Sequence, residues 1–315
     1  MNLLVAMRYL VALDKHRHFG RAAQACHITQ PALSNALRAL ETEFGVAIVK
    51  RSRIFGGLTP EGETVLATAR RMLREMDLLS QDLGGPDSGP RGELRFAAVP
   101  TAMPLLALFA ALLQRQYPGL KPVLLAMSSP DIEAGLQDLT LDLALGYTGR
   151  SRLRGLGITT RVLYQERYYY LRRATRRSSD RLRAGPAMRW SEAATYPLCQ
   201  LTPDMHFRAI IDGALTQPGR KAPEPAIETN SIWTVTLAVA AGEVGAILPA
   251  AMLAAFRAHG DLEALPLLEP DVRTPVGFLS LTETRPSRAV RAALALLDTP
   301  EWGALLDRYS GERGF

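Results

Sequence analysis

The apolar residues of the first sixty positions fall at helical spacing in two short stretches, which a tight turn at His27-Ile28 separates. In the second stretch, residues 30–41, Leu33, Leu37 and Leu40 recur at i, i+4 and i+7, the buried stripe of an amphipathic helix. Thr29 stands directly before this helix and is a good N-cap. The pattern predicts a helix-turn-helix. The inward-facing residues of its first helix are expected to be Phe19, Ala22, Ala23 and Cys26.

The outward face of the second predicted helix carries short polar side chains. Its residues before Glu41 are Gln30, Ser34, Asn35 and Arg38. An ordinary hydrated helix face more often carries pairs of Glu and Lys. Amide, hydroxyl and guanidinium groups form hydrogen bonds with base edges in the major groove of DNA. We therefore expect this face to read a DNA sequence.

A basic segment follows the second helix. Residues 44–49 are largely apolar and residues 50–58 contain a Gly-Gly pair, which predicts two strands and a turn, the wing of a winged helix-turn-helix. Lys50, Arg51 and Arg53 of this wing are expected to contact phosphates or the minor groove. Residues 1–60 hold eight basic and three acidic side chains, which is +5 of the net charge of +6. This asymmetry favours a polyanionic partner, although a hydrated basic face is the alternative.

The segment from His18 to Thr59 resembles the DNA-binding region of the LysR-type transcriptional regulators. The residues that carry the resemblance are Phe19, Arg21-Ala22-Ala23, Gln30-Pro31-Ala32-Leu33-Ser34, Leu40-Glu41, Phe44-Gly45, Arg51 and Leu58-Thr59-Pro60-Glu61-Gly62. By this resemblance Gln30, Pro31, Ser34, Asn35 and Arg53 match positions that contact DNA in the family. Asn35 stands where many members have Arg. The expected partner is double-stranded DNA.

A long helix with a heptad seam is predicted after the wing. Thr59, Pro60 and Glu61 supply an N-cap, a first-turn proline and an acid at the positive end of the helix dipole. Apolar residues then alternate at spacings of four and three: Val65, Ala69, Met72, Met76, Leu79 and Leu83. Such a seam predicts pairing with a second copy in a homodimer or homotetramer, although an amphipathic helix packed on its own domain is the alternative. Residues 84–90, rich in Gly and Pro, predict a hinge.

From about residue 92, short apolar strands alternate with helices, as is typical of an α/β domain. Strands are predicted at 94–99, 123–127 and 141–146, and helices at 104–117 and 130–139. The predicted domains are therefore a winged helix-turn-helix (1–58), a linker helix with hinge (59–91) and an effector-binding domain (92–315). The resemblance implies that the last has two lobes, as in periplasmic binding proteins. We place these lobes at 92–162 plus 268–300 and at 163–267.

Four predicted helix starts in the third domain carry hydroxyl or amide groups. They lie at Thr101, at Ser128 and Ser129, at Thr202, and at Asn230 and Ser231. Free backbone N–H groups beside hydroxyls form an anion site, and the resemblance places the effector between the lobes. We expect a small carboxylate or other anion at these residues, with His206 as a further partner. Plain N-capping by each residue is the alternative.

The sequence offers two alternative functions. His16-Arg17-His18-Phe19 and Cys26-His27 resemble the peroxide-sensing branch of the family, which uses a pair of cysteines in the sensor domain. Where that pattern places the pair, this chain has Phe207 and Thr216, and Cys199 has no second thiol near it in sequence. Because this cysteine pair is missing, a redox-responsive regulator is the alternative hypothesis and not the first one. An enzyme or transport-type binding protein lacks support, because the chain carries no hydrolase, P-loop, metalloprotease or cysteine-cluster motif.

The remaining expectations are negative ones. No cofactor, metal or enzymatic activity is expected. The two cysteines lie far apart and no apolar run is long enough to cross a bilayer, so we expect a cytoplasmic protein with no membrane partner.

Overall fold

The computed structural model describes residues 2–50, 55–83, 89–174, 181–216, 219, 221–282 and 285–310. The chain forms two compact units, Met1–Ser88 and Gly89–Phe315. Arg51 and Arg53 of the predicted wing and residues 84–88 of the predicted hinge lie outside the described residues. Within the described residues, no helix combines the length and the apolar character needed to cross a membrane.

The first unit is helical and confirms the predicted helix-turn-helix. Its helices are α1 (Leu3–His16), α2 (Phe19–Ala25), α3 (Gln30–Phe44) and α4 (Pro60–Leu83). Leu33, Leu37 and Leu40 of α3 are buried in a core that α1, α2 and α4 complete. The third helix is longer than predicted and ends where Gly45 adopts the left-handed φ of 67°, a conformation that favours glycine.

In the described part of the predicted wing, residues 44–50 and 55–58, the two flanks are joined by one bridge. Val49 pairs with Leu58 in antiparallel fashion, and the Lys50 N–H donates to the Gly57 carbonyl at 3.0 Å. The start of α4 packs directly on this segment. A Cβ atom at Gly62 would lie 2.1 Å from the carbonyl oxygen of Ile48, so only glycine permits the contact.

The second unit confirms the predicted α/β class and has three sheets. The first sheet has the spatial order β2 (Leu120–Ala126), β1 (Gly92–Ala98), β3 (Leu143–Tyr147), β12 (Thr274–Leu281) and β4 (Ile158–Glu166). The second sheet has the order β10 (Ala246–Pro249), β5 (Tyr168–Arg173), β11 (Leu262–Leu268) and β6 (Arg183–Ala184), with β7 (Met188–Arg189) also paired to β11. The third pairs β8 (Cys199–Leu201) with β9 (Ile227–Thr229). In the first sheet β12 alone runs antiparallel to its neighbours β3 and β4, whereas β1 is parallel to β2 and β3.

Helices cover these sheets. They are α5 (Met103–Gln116), α6 (Ser129–Gln137), α7 (Trp190–Ala193), α8 (His206–Leu215), α9 (Ile232–Ala241), α10 (Ala250–Leu253), α11 (Arg288–Leu296) and α12 (Pro300–Tyr309). The chain crosses from the first large sheet to the second between Glu166 and Tyr168, and it returns between Leu268 and Thr274. The two sheets therefore form two lobes that are joined by two crossing segments.

Candidate nucleic-acid interface and effector cleft

The exposed edge of α3 is fixed by its cap and its leucines. The Thr29 hydroxyl accepts a hydrogen bond from the Ala32 N–H at 3.3 Å, which confirms the predicted N-cap. With the leucine stripe buried, the opposite edge faces outward. Its exposed residues are Gln30, Pro31, Asn35 and Arg38, while Ser34 is half-buried. Ser34, which was predicted on the outward face, lies partly within the groove beside α3.

A groove with an empty volume of about 1040 Å³ runs between α3 and the wing. Its lining residues are Phe19, Ser34, Leu37, Arg38, Glu41, Val49 and Lys50. The structure thus brings Ser34 and Arg38 of the predicted set together with Lys50. The groove has a cation on each side, which suits a polyanionic ligand.

Glu41 is a residue of this site whose role the sequence did not reveal. Its Oε1 accepts hydrogen bonds from the N–H groups of Ile48, at 2.8 Å, and Val49, at 3.1 Å. The carboxylate therefore ties the wing to the end of α3. The sequence also did not reveal the role of His18, whose Nδ1 accepts a hydrogen bond from the Gly20 N–H at 3.1 Å and so caps α2.

The predicted seam of α4 divides into two parts. Ala69 is fully buried inside the first unit and Val65 is half-buried. Further along, the side chains of Met72, Met76 and Leu79 are 44%, 37% and 51% exposed. The Leu83 side chain lies outside the described side chains. The first part of the seam thus belongs to the core of the unit, and the second part forms an exposed apolar stripe.

In the second unit, Thr101 and His206 meet at Tyr147. Thr101 is fully buried in a 3-10 turn ahead of α5, and its Oγ1 lies 3.1 Å from the Tyr147 hydroxyl. The Tyr147 ring packs on the His206 ring with centroids 5.2 Å apart. Tyr147 ends β3 in the first lobe, and His206 begins α8, so this contact spans the cleft between the lobes.

Ser128 and Ser129 lie at the start of α6 in the first lobe. Ser128 is the N-cap and accepts from the Asp131 N–H at 3.3 Å. Ser129 is buried, and its Oγ has no hydrogen-bond partner among the described residues. Glu133 lies one turn further on the same helix face, where it forms ion pairs with Arg150 at 2.7 Å and Arg152 at 3.0 Å.

These charges bear on His206. Burial holds the pKa of His206 below its ordinary value, Arg150 lowers it further, and Glu133 opposes both effects. His206 is therefore neutral near pH 7 and can donate one hydrogen bond and accept another. No Lys or Arg directly adjoins Ser128 and Ser129 in the sequence, but the fold brings Arg150 close to the start of α6.

The other predicted effector residues are placed differently from each other. Thr202 does not begin a helix as predicted, because α8 starts at His206 with Met205 as its N-cap. The Thr202 Oγ1 is nevertheless buried without a hydrogen-bond partner in the described chain. Ser231 caps α9 by accepting from the Thr234 N–H at 3.3 Å, as the alternative of plain N-capping expects. Asn230 is exposed.

Neither cysteine lies in a reactive environment. Cys199 on β8 is buried, and burial raises the pKa of its thiol. The pKa of Cys26 is raised in the same way. Phe207, which stands where the peroxide-sensing pattern has a cysteine, packs its ring 6.0 Å from that of Tyr168. Among the described residues, no group of three or more His, Cys, Asp and Glu side chains is arranged to hold a metal ion.

A helix-turn-helix unit followed by a two-lobed α/β unit defines a class of ligand-responsive regulatory proteins. Two family models match the chain: "Bacterial regulatory helix-turn-helix protein, lysR family" over residues 4–63, and "LysR substrate binding domain" over residues 87–299. The chain therefore belongs to the LysR family.

Individual relatives match over a shorter length. The hydrogen peroxide-inducible genes activator of Dickeya chrysanthemi is 36% identical over 140 residues, which is 44% of this chain and 46% of that protein. The chain thus spans about half the length of the curated relatives it matches.

Two full-length solved structures resemble the whole chain. A cysteine variant of full-length OxyR from Pseudomonas aeruginosa has a TM-score of 0.73 and 24% identity, and the match covers 94% of this chain and 95% of that one. Full-length CbnR in complex with its target DNA has a TM-score of 0.61 and 21% identity, with 93% and 99% covered. At these identities the likeness concerns the fold.

Proposed function

We propose that this chain is a transcriptional regulator that reads double-stranded DNA with α3 and responds to a small anion in the cleft of its second unit. The observation that carries the first part is the edge of α3, where leucines anchor one face and amide, hydroxyl and guanidinium groups occupy the other. Gln30, Ser34, Asn35 and Arg38 read base edges in the major groove. Lys50, across the groove, contacts phosphate and sets the position of α3. Thr29, Pro31, Arg51 and Arg53 complete the proposed DNA-binding set.

Selection from a pool of random duplexes tests this part directly. Purified full-length protein should enrich one partly palindromic site, because two copies related by a two-fold axis present two α3 helices. A bound pool with no enriched sequence would contradict sequence reading by α3.

A second copy of the chain is the proposed partner of α4. Met72, Met76 and Leu79 expose apolar surface at helical spacing, which a soluble monomer rarely leaves uncovered as a stripe. Pairing of two such stripes gives the dimer or tetramer that a palindromic DNA site requires.

The proposed effector is a small carboxylate or another anion between the lobes. Two buried hydroxyls without hydrogen-bond partners in the described chain, those of Ser129 and Thr202, support this, since such groups carry an energetic cost until a ligand or water pairs with them. The positive end of the α6 helix dipole and the nearby Arg150 favour negative charge. Thr101, Ser128, His206, Asn230 and Ser231 complete the proposed set. Binding acts on DNA only if the effector prefers one arrangement of the lobes.

Thermal-shift titration with a panel of small mono- and dicarboxylates tests the effector site. Ser129→Ala and Thr101→Ala should abolish the shift that an active carboxylate gives with the wild type. Ser287→Ala is the matched control, because Ser287 caps α11 and accepts from the Val290 N–H at 3.1 Å. It should lower the melting temperature and leave ligand binding intact. Unchanged affinity in both cleft variants would reject the site.

A redox signal is the second candidate, and the names of the peroxide-inducible relatives favour it. The match to the Dickeya chrysanthemi protein covers less than half of either chain. Against this candidate stand the buried Cys199, whose thiol has a raised pKa, and the phenylalanine at position 207. We therefore place the anion first.

A further inference from the structure

Glu166 lies at one of the two points where the chain crosses between the lobes. It is the last residue of β4, and only Arg167 separates it from β5. Its register partner is Thr274, the first residue of the returning strand β12. The two crossings are therefore adjacent, and a change in the angle between the lobes must bend the backbone at this pair.

The Glu166 side chain is fully buried although it is ionisable. Its Oε1 lies 3.4 Å from the Tyr164 hydroxyl and its Oε2 lies 3.5 Å from the Tyr168 hydroxyl. Tyr168 also donates to the Thr274 Oγ1 at 2.7 Å. A phenol has one proton, so Tyr168 cannot donate to Thr274 and Glu166 at once. A neutral Glu166 that donates its own proton to Tyr168 satisfies both contacts, as does a Thr274 hydroxyl that donates to Tyr168.

The charges around Glu166 do not favour its ionised form. Among the described residues no Lys, Arg or His lies within ion-pair distance of its carboxyl; Arg172 and Arg273, for example, pair with Glu263 and Asp271. The titratable side chains that face it are Tyr164 on β4, Tyr168 on β5 and Tyr147 on β3, and burial raises the pKa of each. Beyond Tyr147 lie His206 and the Glu133–Arg150 pair. Burial raises the pKa of Glu166 itself to about 8, although the hydrogen bonds with Tyr164 and Tyr168 act to lower it.

The second lobe closes on this cluster. The Tyr168 hydroxyl of β5 contacts Thr274 of β12 at 2.7 Å, and the His206 ring of α8 packs on the Tyr147 ring of β3 at 5.2 Å between centroids. Opening of the cleft would part these rings and admit water to Glu166. A hydrated carboxyl has an ordinary pKa and releases its proton to water near neutral pH.

We propose that Glu166 is a positioning residue for lobe closure, whose neutral carboxyl holds the hinge closed through Tyr164 and Tyr168 and whose deprotonation opens the cleft. Closure of the lobes takes up one proton. This inference concerns the resting equilibrium of the lobes, and it stands whether or not the effector is an anion or α3 reads DNA.

The direction of the pH effect follows from linkage. The closed state holds the proton up to about pH 8, whereas the open state loses it near the ordinary value of 4.5. Closure is therefore most stable below pH 4.5, the ordinary pKa of a glutamate. Between pH 4.5 and about pH 8 the equilibrium constant for opening rises by up to about tenfold per pH unit, and above about pH 8 it stays constant.

Hydrogen exchange of full-length protein measures this opening. In the wild type, protection factors of the amides in residues 164–170 should fall by at least about tenfold between about pH 6 and about pH 8. Glu166→Gln keeps the shape and the neutral state, so its protection should stay constant over this range. Glu263→Gln is the matched control, because Glu263 is also buried but forms an ion pair with Arg172 at 3.0 Å; it should follow the wild-type profile. Constant protection in the wild type, or a wild-type profile in Glu166→Gln, would overturn the proposal.

Infrared spectroscopy reports the proton itself. The wild type should show the carbonyl band of a protonated carboxylic acid at about pH 7, and this band should vanish as the pH passes about 8. The band should be absent from Glu166→Gln. A wild type without the band at neutral pH would also overturn the proposal, even if the variant failed to fold.

Discussion

The guanidinium of Arg70 in α4 donates to the carboxylate of Asp14 in α1 across 2.6 Å. Arg17 approaches the same carboxylate at 2.9 Å, and Asp14 is only 8% exposed. Together with the close approach of Gly62 to Ile48, this ion pair fixes the first turns of α4 to the helix-turn-helix. The first unit therefore behaves as a single body from α1 to the middle of α4.

Asp14→Asn should lower the free energy of unfolding of the first unit by about 1.5–3 kcal/mol, because a hydrogen bond to a charged partner contributes about this much. Denaturant unfolding, followed by hydrogen exchange in α1 and α4, measures the loss. Asp77→Asn is the control, since Asp77 lies on α4 and is exposed. It should change stability by less than about 0.5 kcal/mol. Equal effects of the two variants would show that the ion pair does not anchor α4.

Met76→Glu should convert the proposed oligomer to monomers, because it places a charge in the exposed apolar stripe of α4, the proposed contact with a second copy. Sedimentation equilibrium of the full chain gives the mass directly. The adjacent exposed residue Asp77 again provides the comparison, and Asp77→Lys should keep the oligomer. An oligomer that survives Met76→Glu would place the interface elsewhere.

Cys199 should react with an alkylating reagent at least about tenfold more slowly in the folded protein than in denaturant, because burial keeps the thiol protonated and covered. Peroxide treatment should leave DNA binding unchanged in the wild type, in Cys199→Ser and in Cys26→Ser. If peroxide altered DNA binding by the wild type but not by one of these variants, a redox signal would replace the anion as the proposed signal.

The sequence predicted local features of the fold well. The leucine stripe of α3, the N-caps Thr29 and Ser231, and the strand at Leu143–Tyr147 depend on periodicity and on contacts within a few residues. The seam of α4 was predicted only in part. Its spacing does not distinguish residues that pack on α1, such as Ala69, from residues that stay exposed, such as Leu79.

Features that depend on distant contacts were missed. Glu41 reaches the wing amides seven and eight residues away, and Arg150 reaches His206 only because β3 and α8 meet across the cleft. The predicted helix start at Thr202 was wrong, because a hydroxyl before a proline resembles an N-cap even when the chain continues as a turn to Met205. Glu166 gave no signal in sequence, since its significance comes from burial without a cation.

The central claim is that the outward edge of α3 reads bases while the wing contacts phosphates. Affinity for the selected duplex and for a scrambled duplex, each titrated against salt, tests it most directly. Gln30→Ala should weaken binding to the selected duplex by about 1–3 kcal/mol and leave binding to the scrambled duplex unchanged. Lys50→Ala should weaken binding to both duplexes equally, and it should reduce the slope of log K against log salt concentration by about 1. If both variants weakened both duplexes equally, or if the wild type bound no duplex in a salt-sensitive way, the account of α3 would be contradicted.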